Sequence, residues 1–341
     1  MHLAGGCFYY SNKLIEHFSN ADVYIPSKVL EEGSIPNAKT LKFYGYPSII
    51  RYLSLALFLV KIIVLGRIGY YNALFLAGYT SWDYYIMKAW RLTGRKSFFV
   101  VHDGKLHSGE DDKCLQRKLN YIMQNASNLI FLSNYVRTDV INNYNIDKPY
   151  HIAPHGLIDY GGIPSNSCSF PPSVLFLGRV SYYKGIDILL KAIDLIPEKM
   201  YSEIIIAGKW NESASKSTNP KIKFVDKWLS VDEMREFLLH ADIMVFPYRE
   251  ASQSGVITLA INYAIPFVYT DVGALHEQAP QGGSVSVAEV TPNAIADGLM
   301  NLLTDKDRLL SMKRILMKAK ETYSWEKIAK DCQSYIHSEL S

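Results

Sequence analysis

The chain holds 341 residues, more than one ordinary core accommodates, so its length predicts two domains. Hydrophobic residues make up 48% and charged residues 20%, a globular composition that excludes a disordered chain. The net charge of +3 gives no argument for nucleic acid, and Cys7, Cys114, Cys168 and Cys332 lie too far apart for a disulfide framework or a zinc site, which fits a reducing cytosol.

The opening "MHLAGGCFYYSNKL" has no basic stretch followed by an apolar one, so no secretory signal is expected. Gly5 and Gly6 read as a turn before a helix starting near Ser11, where paired glycines let a ligand approach the backbone. "ADVYIPS" and "LKFYGY" read as strands. In "PSIIRYLSLALFLVKIIVLGRIGYY" the apolar run from Tyr52 to Val60 is broken by Lys61, short of the roughly 20 residues of a membrane span. No acidic residue occurs between Glu32 and Asp83, whereas Lys39, Lys42, Arg51, Lys61 and Arg67 all do. Two readings stay open for this helix: a buried core element, or a helix lying on an anionic membrane surface.

"NALFLAGY", "SFFVVHD", "NLIFLSN" and "YHIAPHG" continue as strands, with helices such as "SWDYYIMKAWRLTG" and "DKCLQRKLNYIMQNAS" between them. Apolar strands alternating with helices predict a parallel sheet covered on both faces. Around residues 157–173 the pattern dissolves into Gly, Pro, Ser and Asn, the best candidate for an interdomain linker. The second half repeats the scheme from "SVLFLGR" to "GSVSVA" and ends in three helical stretches. The expected architecture is two doubly wound α/β domains, 1–160 and 170–324, facing across a cleft. Ligands of such sheets bind beyond the carboxyl ends of the strands.

Four loops after strands carry unusual chemistry. In "FLGRVSYYKG", Gly178 ends a strand and Arg179 and Lys184 flank a turn before a helix. They read either as a site for a multiply charged anion or as two solvated cations. In "YREASQSGVITLAI", Gln253, Ser254, Gly255 and Val256 stand where a helix begins. With Ser254 as N-cap and Gly255 allowing close approach, the helix start reads as a phosphate cradle, or as an ordinary capped helix. A cradle and a cation pair together point to a diphosphate. "FFVVHDGKLHSGE" sets His102, Asp103 and His107 on one loop, and "LAGGCFYY" supplies Gly5 and Gly6. The histidine loop lacks a set of three or four metal ligands, and neither G-x-G-x-x-G nor G-x-x-x-x-G-K-[ST] occurs.

These residues resemble the family 4 glycosyltransferases, retaining enzymes of the GT-B fold. "GRVSYYKG" is similar to that family's G-R-x-x-x-x-K-G, "AIPFVYTDVGALHE" to its G-x-P-V-V-x-T-D-x-G-G-x-x-E ending at Glu277, and "GGCFYYSNKLIEHF" to its N-terminal glycine loop and first helix. "FVVHDGKLHSG" resembles the loop of the acceptor-side histidine, and "YSWEKIAKDC" the terminal helix that returns to the first domain, here about 325–341. The chain departs from the family's pair of glutamates: Glu250 stands at the first, but Thr258 or Leu259 at the second. "SQSGV" is similar to a bacterial polysaccharide variant in which backbone N–H groups bind the diphosphate. The resemblance implies sugar transfer from a nucleotide-diphosphate donor with retention, without metal or further cofactor. Arg179 and Lys184 would hold the diphosphate with Gly178, Lys209, Glu250, Gln253, Ser254, Gly255 and Val256 around the donor, while His102 and Asp103 would be catalytic and Gly5, Gly6 and His107 acceptor-side. It implies a glycan or lipid-linked acceptor in surface-polysaccharide assembly, in the cytoplasm or peripheral on the inner face of the plasma membrane. The rivals are a catalytically silent sugar-nucleotide-binding or scaffolding subunit, and a GT-B sugar-nucleotide epimerase.

Overall fold

A computed structural model of the chain describes residues 6–26, 38–41, 47–78, 80, 82–104, 113–210 and 218–341. Gly5, His107 and the end of the predicted strand "LKFYGY" lie outside the described residues. The chain divides into two units, Met1–Pro154 with Trp325–Ser341, and His155–Ser324.

The first unit runs α1 (Gly6–Glu16), β1 (Tyr24–Pro26), β2 (Lys39–Leu41), α2 (Ser48–Arg67), β3 (Ala73–Leu76), α3 (Asp83–Arg91), β4 (Lys96–Val101), α4 (Lys113–Asn125), β5 (Asn128–Phe131), α5 (Asn134–Tyr144) and β6 (Tyr150–Ile152). Strands β3-β4-β5-β6 form a parallel sheet in that order, and β1 and β2 form a separate parallel pair. The apolar runs exist because successive side chains point to opposite faces and both faces are covered. Phe99 and Val101 join Ile122, Met123 and Trp90 on one side. Phe98 and Val100 meet Tyr10 and Leu14 of α1 and Trp325, Ile328 and Cys332 of α12 (Trp325–Leu340) on the other. α1 begins at Gly6, earlier than the expected Ser11, so Gly6 opens the first helical turn instead of preceding it. α5, hidden in an Asn-rich stretch, is started by Ser133, whose Oγ accepts from Val136 N at 3.2 Å, and is stopped by Asn145 in the left-handed region.

The second unit runs β7 (Val174–Leu177), α6 (Ile186–Ile193), β8 (Ile204–Ala207), β9 (Ile222–Val225), α7 (Val231–His240), β10 (Ile243–Phe246), α8 (Gly255–Asn262), β11 (Phe267–Thr270), α9 (Leu275–Gln278), β12 (Ser284–Val287), α10 (Pro292–Leu303) and α11 (Lys306–Ala319). Its six strands are parallel in the order β12-β11-β10-β7-β8-β9. The order reverses beside β7, and β7 and β10 are neighbours there, in register Ile243 with Val174. In a doubly wound sheet that is where loops splay and ligands bind.

The expected linker at 157–173 belongs to the second unit. Tyr160 N donates to Tyr263 Oη at 3.2 Å, Tyr263 Oη donates to the Gly161 carbonyl at 2.7 Å, and Ser169 N donates to Asp242 at 3.0 Å. Its Gly, Pro and Ser content reports the lack of regular structure, and side chains of helices and strands elsewhere tie its backbone down. The division therefore falls between Pro154 and His155 instead of near 160–170.

Candidate functional site

The loops after β7 and β10 meet at that reversal. Gly178 follows β7 and Gly208 follows β8, both at positive φ (127° and 143°), and a Cβ on Gly208 would collide with the Gly178 carbonyl. The two strand ends can thus stay paired, Gly178 N donating to the Ala207 carbonyl and Val180 N to the Lys209 carbonyl, each at 2.9 Å. A 3-10 turn, Tyr182–Lys184, then leads to Gly185 at φ 66°, where any side chain would strike the Pro247 carbonyl.

Arg249 fastens this loop to the one after β10. Its guanidinium holds Asp187 bidentately at 2.8 and 2.7 Å, donates to the Tyr182 carbonyl at 2.8 Å and lies 4.2 Å from the Tyr182 ring centroid. The Arg249 hydrogen bonds, chiefly, hold the Asp187 carboxyl below its usual range. Two further clasps fix the far side of the β10 loop. Gly273, at φ 59°, presses on the Ala251 carbonyl, which accepts from Ala274 N at 3.0 Å. Gln278 Oε1 accepts from Ser254 N at 2.7 Å.

Lys184 and Arg179 are the chemical centre of this arrangement. Arg179 is exposed, while Lys184 is 8% exposed, donates to Tyr248 Oη at 2.7 Å and stands 3.9 Å from the Tyr248 ring centroid. Neither makes an ion pair among the described residues. Burial first, and the Arg179 charge second, push the Lys184 ammonium from its ordinary 10.5 down to about 7. Burial likewise raises the Tyr248 phenol. A buried ammonium without a carboxylate, next to a repelling guanidinium, is a standing deficit of negative charge.

Across from the cations stands the start of α8. Ser254 is its N-cap residue, but the side chain caps no backbone N–H, so the first amides of the helix keep their free donors and the positive dipole end. Ser254 Oγ, Gln253 Oε1 and Ser181 Oγ are buried without a formed hydrogen bond. Ser254 Oγ nevertheless lies close enough to the Tyr248 phenol to offset part of the burial effect there. A Cβ on Gly178 would lie 3.7 Å from Val256, so strand end and helix start are neighbours. Thr258 and Leu259, where the resembled family has its second glutamate, are buried, and Thr258 Oγ1 donates to the Gly255 carbonyl at 2.7 Å. Neither reaches toward a ligand, and the amides are left uncovered by a carboxylate from that position.

The structure thus brings Gly178, Arg179, Lys184, Gln253, Ser254, Gly255 and Val256 together. Lys209 is committed to Asp226 at 3.1 Å, and Glu250 is exposed midway along the loop after β10. His102 and Asp103 follow β4 in the first unit. His102 is buried there, its Nε2 3.2 Å from the Ala77 carbonyl and its ring edge-on to Tyr10 at 5.1 Å. Four residues were not singled out from sequence: Tyr248, Arg249, Gln278, and His155, whose Nε2 lies 3.5 Å from where a Gly255 Cβ would be. A buried tyrosine directly after "DIMVFP" carried the only sequence signal among them. Among the described residues no group of three His, Cys, Asp or Glu could hold a metal ion.

Residues 171–305 match the family "Glycosyl transferases group 1". An uncharacterized glycosyltransferase of Methanocaldococcus jannaschii is 27% identical over 168 residues, 46% of this chain and 43% of that protein. A D-inositol 3-phosphate glycosyltransferase of Corynebacterium urealyticum is 28% identical over 173 residues, 46% of this chain and 40% of that protein. The chain spans less than half the length of these curated relatives. Anabaena HepE, solved in complex with UDP, superposes with a TM-score of 0.75 over 98% of this chain and 96% of that one, at 14% identity. The fold is GT-B: two parallel-sheet, Rossmann-like units.

Proposed function

We propose that this protein is a retaining, metal-independent glycosyltransferase that moves a sugar from a nucleoside-diphosphate donor to a glycan or lipid-linked acceptor in polysaccharide biosynthesis. The observation that carries the reading is the pair Arg179 and Lys184, both without a carboxylate partner among the described residues and Lys184 buried, beside the uncapped start of α8. The match of residues 171–305 to a glycosyltransferase family and the UDP bound by the HepE structure support the same reading and make UDP the first base to test.

Cleavage of the sugar–phosphate bond leaves negative charge on the departing diphosphate. Arg179 is free to pair with its outer oxygens. Lys184, its ammonium pushed down to about 7 and so only partly charged near neutral pH in the free protein, is held in the charged form as the anion arrives and then neutralises charge inside a dry pocket. The amides of Gly255 and Val256 add fixed donors along the helix dipole. Preorganised donors of this type contribute roughly 3–4 kcal/mol each to a developing anion. Gln253, whose amide presents a donor or an acceptor by rotation, and Ser254 line the same wall. Lys209 and Glu250 border the sugar and base, and His102 and Asp103 belong to the acceptor side of the reaction.

The test is turnover. The protein is incubated with UDP-, GDP- and ADP-sugars and lipid-linked or free glycans, and nucleoside diphosphate release and product anomer are measured. Acceptor-dependent release with a retained anomeric configuration supports the reading. Binding without turnover across the panel assigns the protein to a silent subunit instead, and release without acceptor to an epimerase.

A further inference from the structure

α2 is the one helix among the described residues long and apolar enough to cross a membrane by length and composition, and only 22% of that window is buried. Its two sides are both apolar. Leu55, Phe58, Ile62 and Gly66 face inward, and the first three join Met87, Trp90 and Phe99 in the core of the first unit. The opposite stripe, Ile49, Leu53, Leu57, Val60, Val64 and Ile68, recurs at helical spacing and is 50% to 79% exposed. Such a stripe runs along about 30 Å of helix, far more apolar surface than a water-facing helix ordinarily shows.

The charges around the stripe have one sign. α2 carries Arg51, Lys61 and Arg67 and no carboxylate. α3, which packs against it, carries exposed Lys88 and Arg91 on its α4 side, against Tyr121, and its single carboxylate, Asp83, is buried. None of the five cations makes an ion pair among the described residues; they donate to neutral oxygens, as Lys61 does to Tyr24 Oη and Arg67 to the Leu92 carbonyl, or lie over tyrosine rings. Asp22, near Lys61, is neutralised by Lys39 at 2.5 Å. Exposed Tyr52, Tyr70 and Tyr85 rim the stripe with amphipathic rings suited to a headgroup layer. The whole chain has a net charge of only +3, so this concentration of unpaired cations is local.

We infer that the outward face of α2 docks flat onto an anionic lipid surface. The stripe enters the acyl boundary while Lys61 and Arg67, exposed beside it on α2, meet acidic headgroups. A spanning orientation is disfavoured by the inward side, because turning α2 into the bilayer would strip Leu55, Phe58 and Ile62 from the core of the first unit. The inference uses no residue of the diphosphate site and stands or falls separately from the proposed activity.

Flotation of the full chain with vesicles tests it, without sugar nucleotide present. The protein is expected to float with phosphatidylcholine vesicles containing phosphatidylglycerol, to partition roughly tenfold less onto phosphatidylcholine alone, and to leave anionic vesicles in high salt or alkaline carbonate. The doubly substituted Leu53→Glu, Leu57→Glu protein is expected to lose at least about tenfold in partitioning while keeping the wild-type melting temperature, since both side chains are exposed. Four outcomes overturn the inference: no flotation of the wild type; unchanged flotation of the variant; retention in carbonate, which would mean a spanning helix; or a dimer dissolved by the variant with no vesicle binding, which would give the face to a second copy of the chain.

Discussion

Replacing Lys184 by methionine separates what the site costs the free protein from what it does for a ligand. The ammonium falls from 10.5 to about 7 on folding, so between those pH values the unfolded chain holds a proton the folded chain has released. Stability therefore rises with pH across that window, and below about pH 7 the folded state bears the full cost of the buried charge. At 1.36 kcal/mol for each tenfold step in proton affinity, that cost is at most about 5 kcal/mol. Methionine removes it but loses the hydrogen bond to Tyr248, about 1 kcal/mol, and the cation–π contact, about 2 kcal/mol. The variant is thus expected to gain about 2 kcal/mol at pH 6, or about 4–8 °C for a unit of this size, and to lose the gain by pH 10. In the same melts UDP is expected to stabilise the wild type and not the variant. Thermal melts at pH 6, 8 and 10, with and without UDP, read both effects. A variant that melts lower than the wild type at pH 6 and still responds to UDP would refute the reasoning.

Arg179→Ala is expected to lower turnover at least tenfold, or about 1.4 kcal/mol of transition-state stabilisation, measured as nucleoside diphosphate release. Because Arg179 is the second cause of the Lys184 shift, the same variant moves the pH midpoint of UDP binding upward, readable by calorimetry across pH 6–9. Gln278→Leu leaves the buried Ser254 N–H without its acceptor, so calorimetry should show a loss of about 1–3 kcal/mol of stability together with weaker UDP binding. Gly273→Ala places a Cβ on the Ala251 carbonyl at positive φ; a loss of about 2 kcal/mol or more in denaturant melts is expected. Wild-type stability for Gly273→Ala would remove the clasp from the account.

Sequence made the layers legible because a two-faced parallel sheet leaves uninterrupted apolar runs, as in "SFFVVHD" and "DIMVFP". It also exposed Arg179, Lys184 and Gly255, which follow strands at short spacing. Other features depend on distant pairs that no period records: Arg249 with Asp187, and Gln278 with Ser254, each far apart in the chain. The depth of Lys184 was not legible either, since a lysine between a tyrosine and a glycine reads as surface until the β10 loop closes over it. Composition misplaced the linker for the same reason, because Tyr263 and Asp242 hold its backbone from elsewhere in the chain. For α2, sequence left core helix and surface helix as alternatives. The structure buries one stripe of it in the core of the first unit and leaves the opposite stripe exposed.

The most direct measurement is a crystal structure of the protein grown with UDP. The diphosphate is predicted to lie within hydrogen-bond distance of the Arg179 guanidinium, Lys184 Nζ and the amides of Gly255 and Val256. Nucleotide bound elsewhere, with those four groups touching solvent alone, would contradict the account.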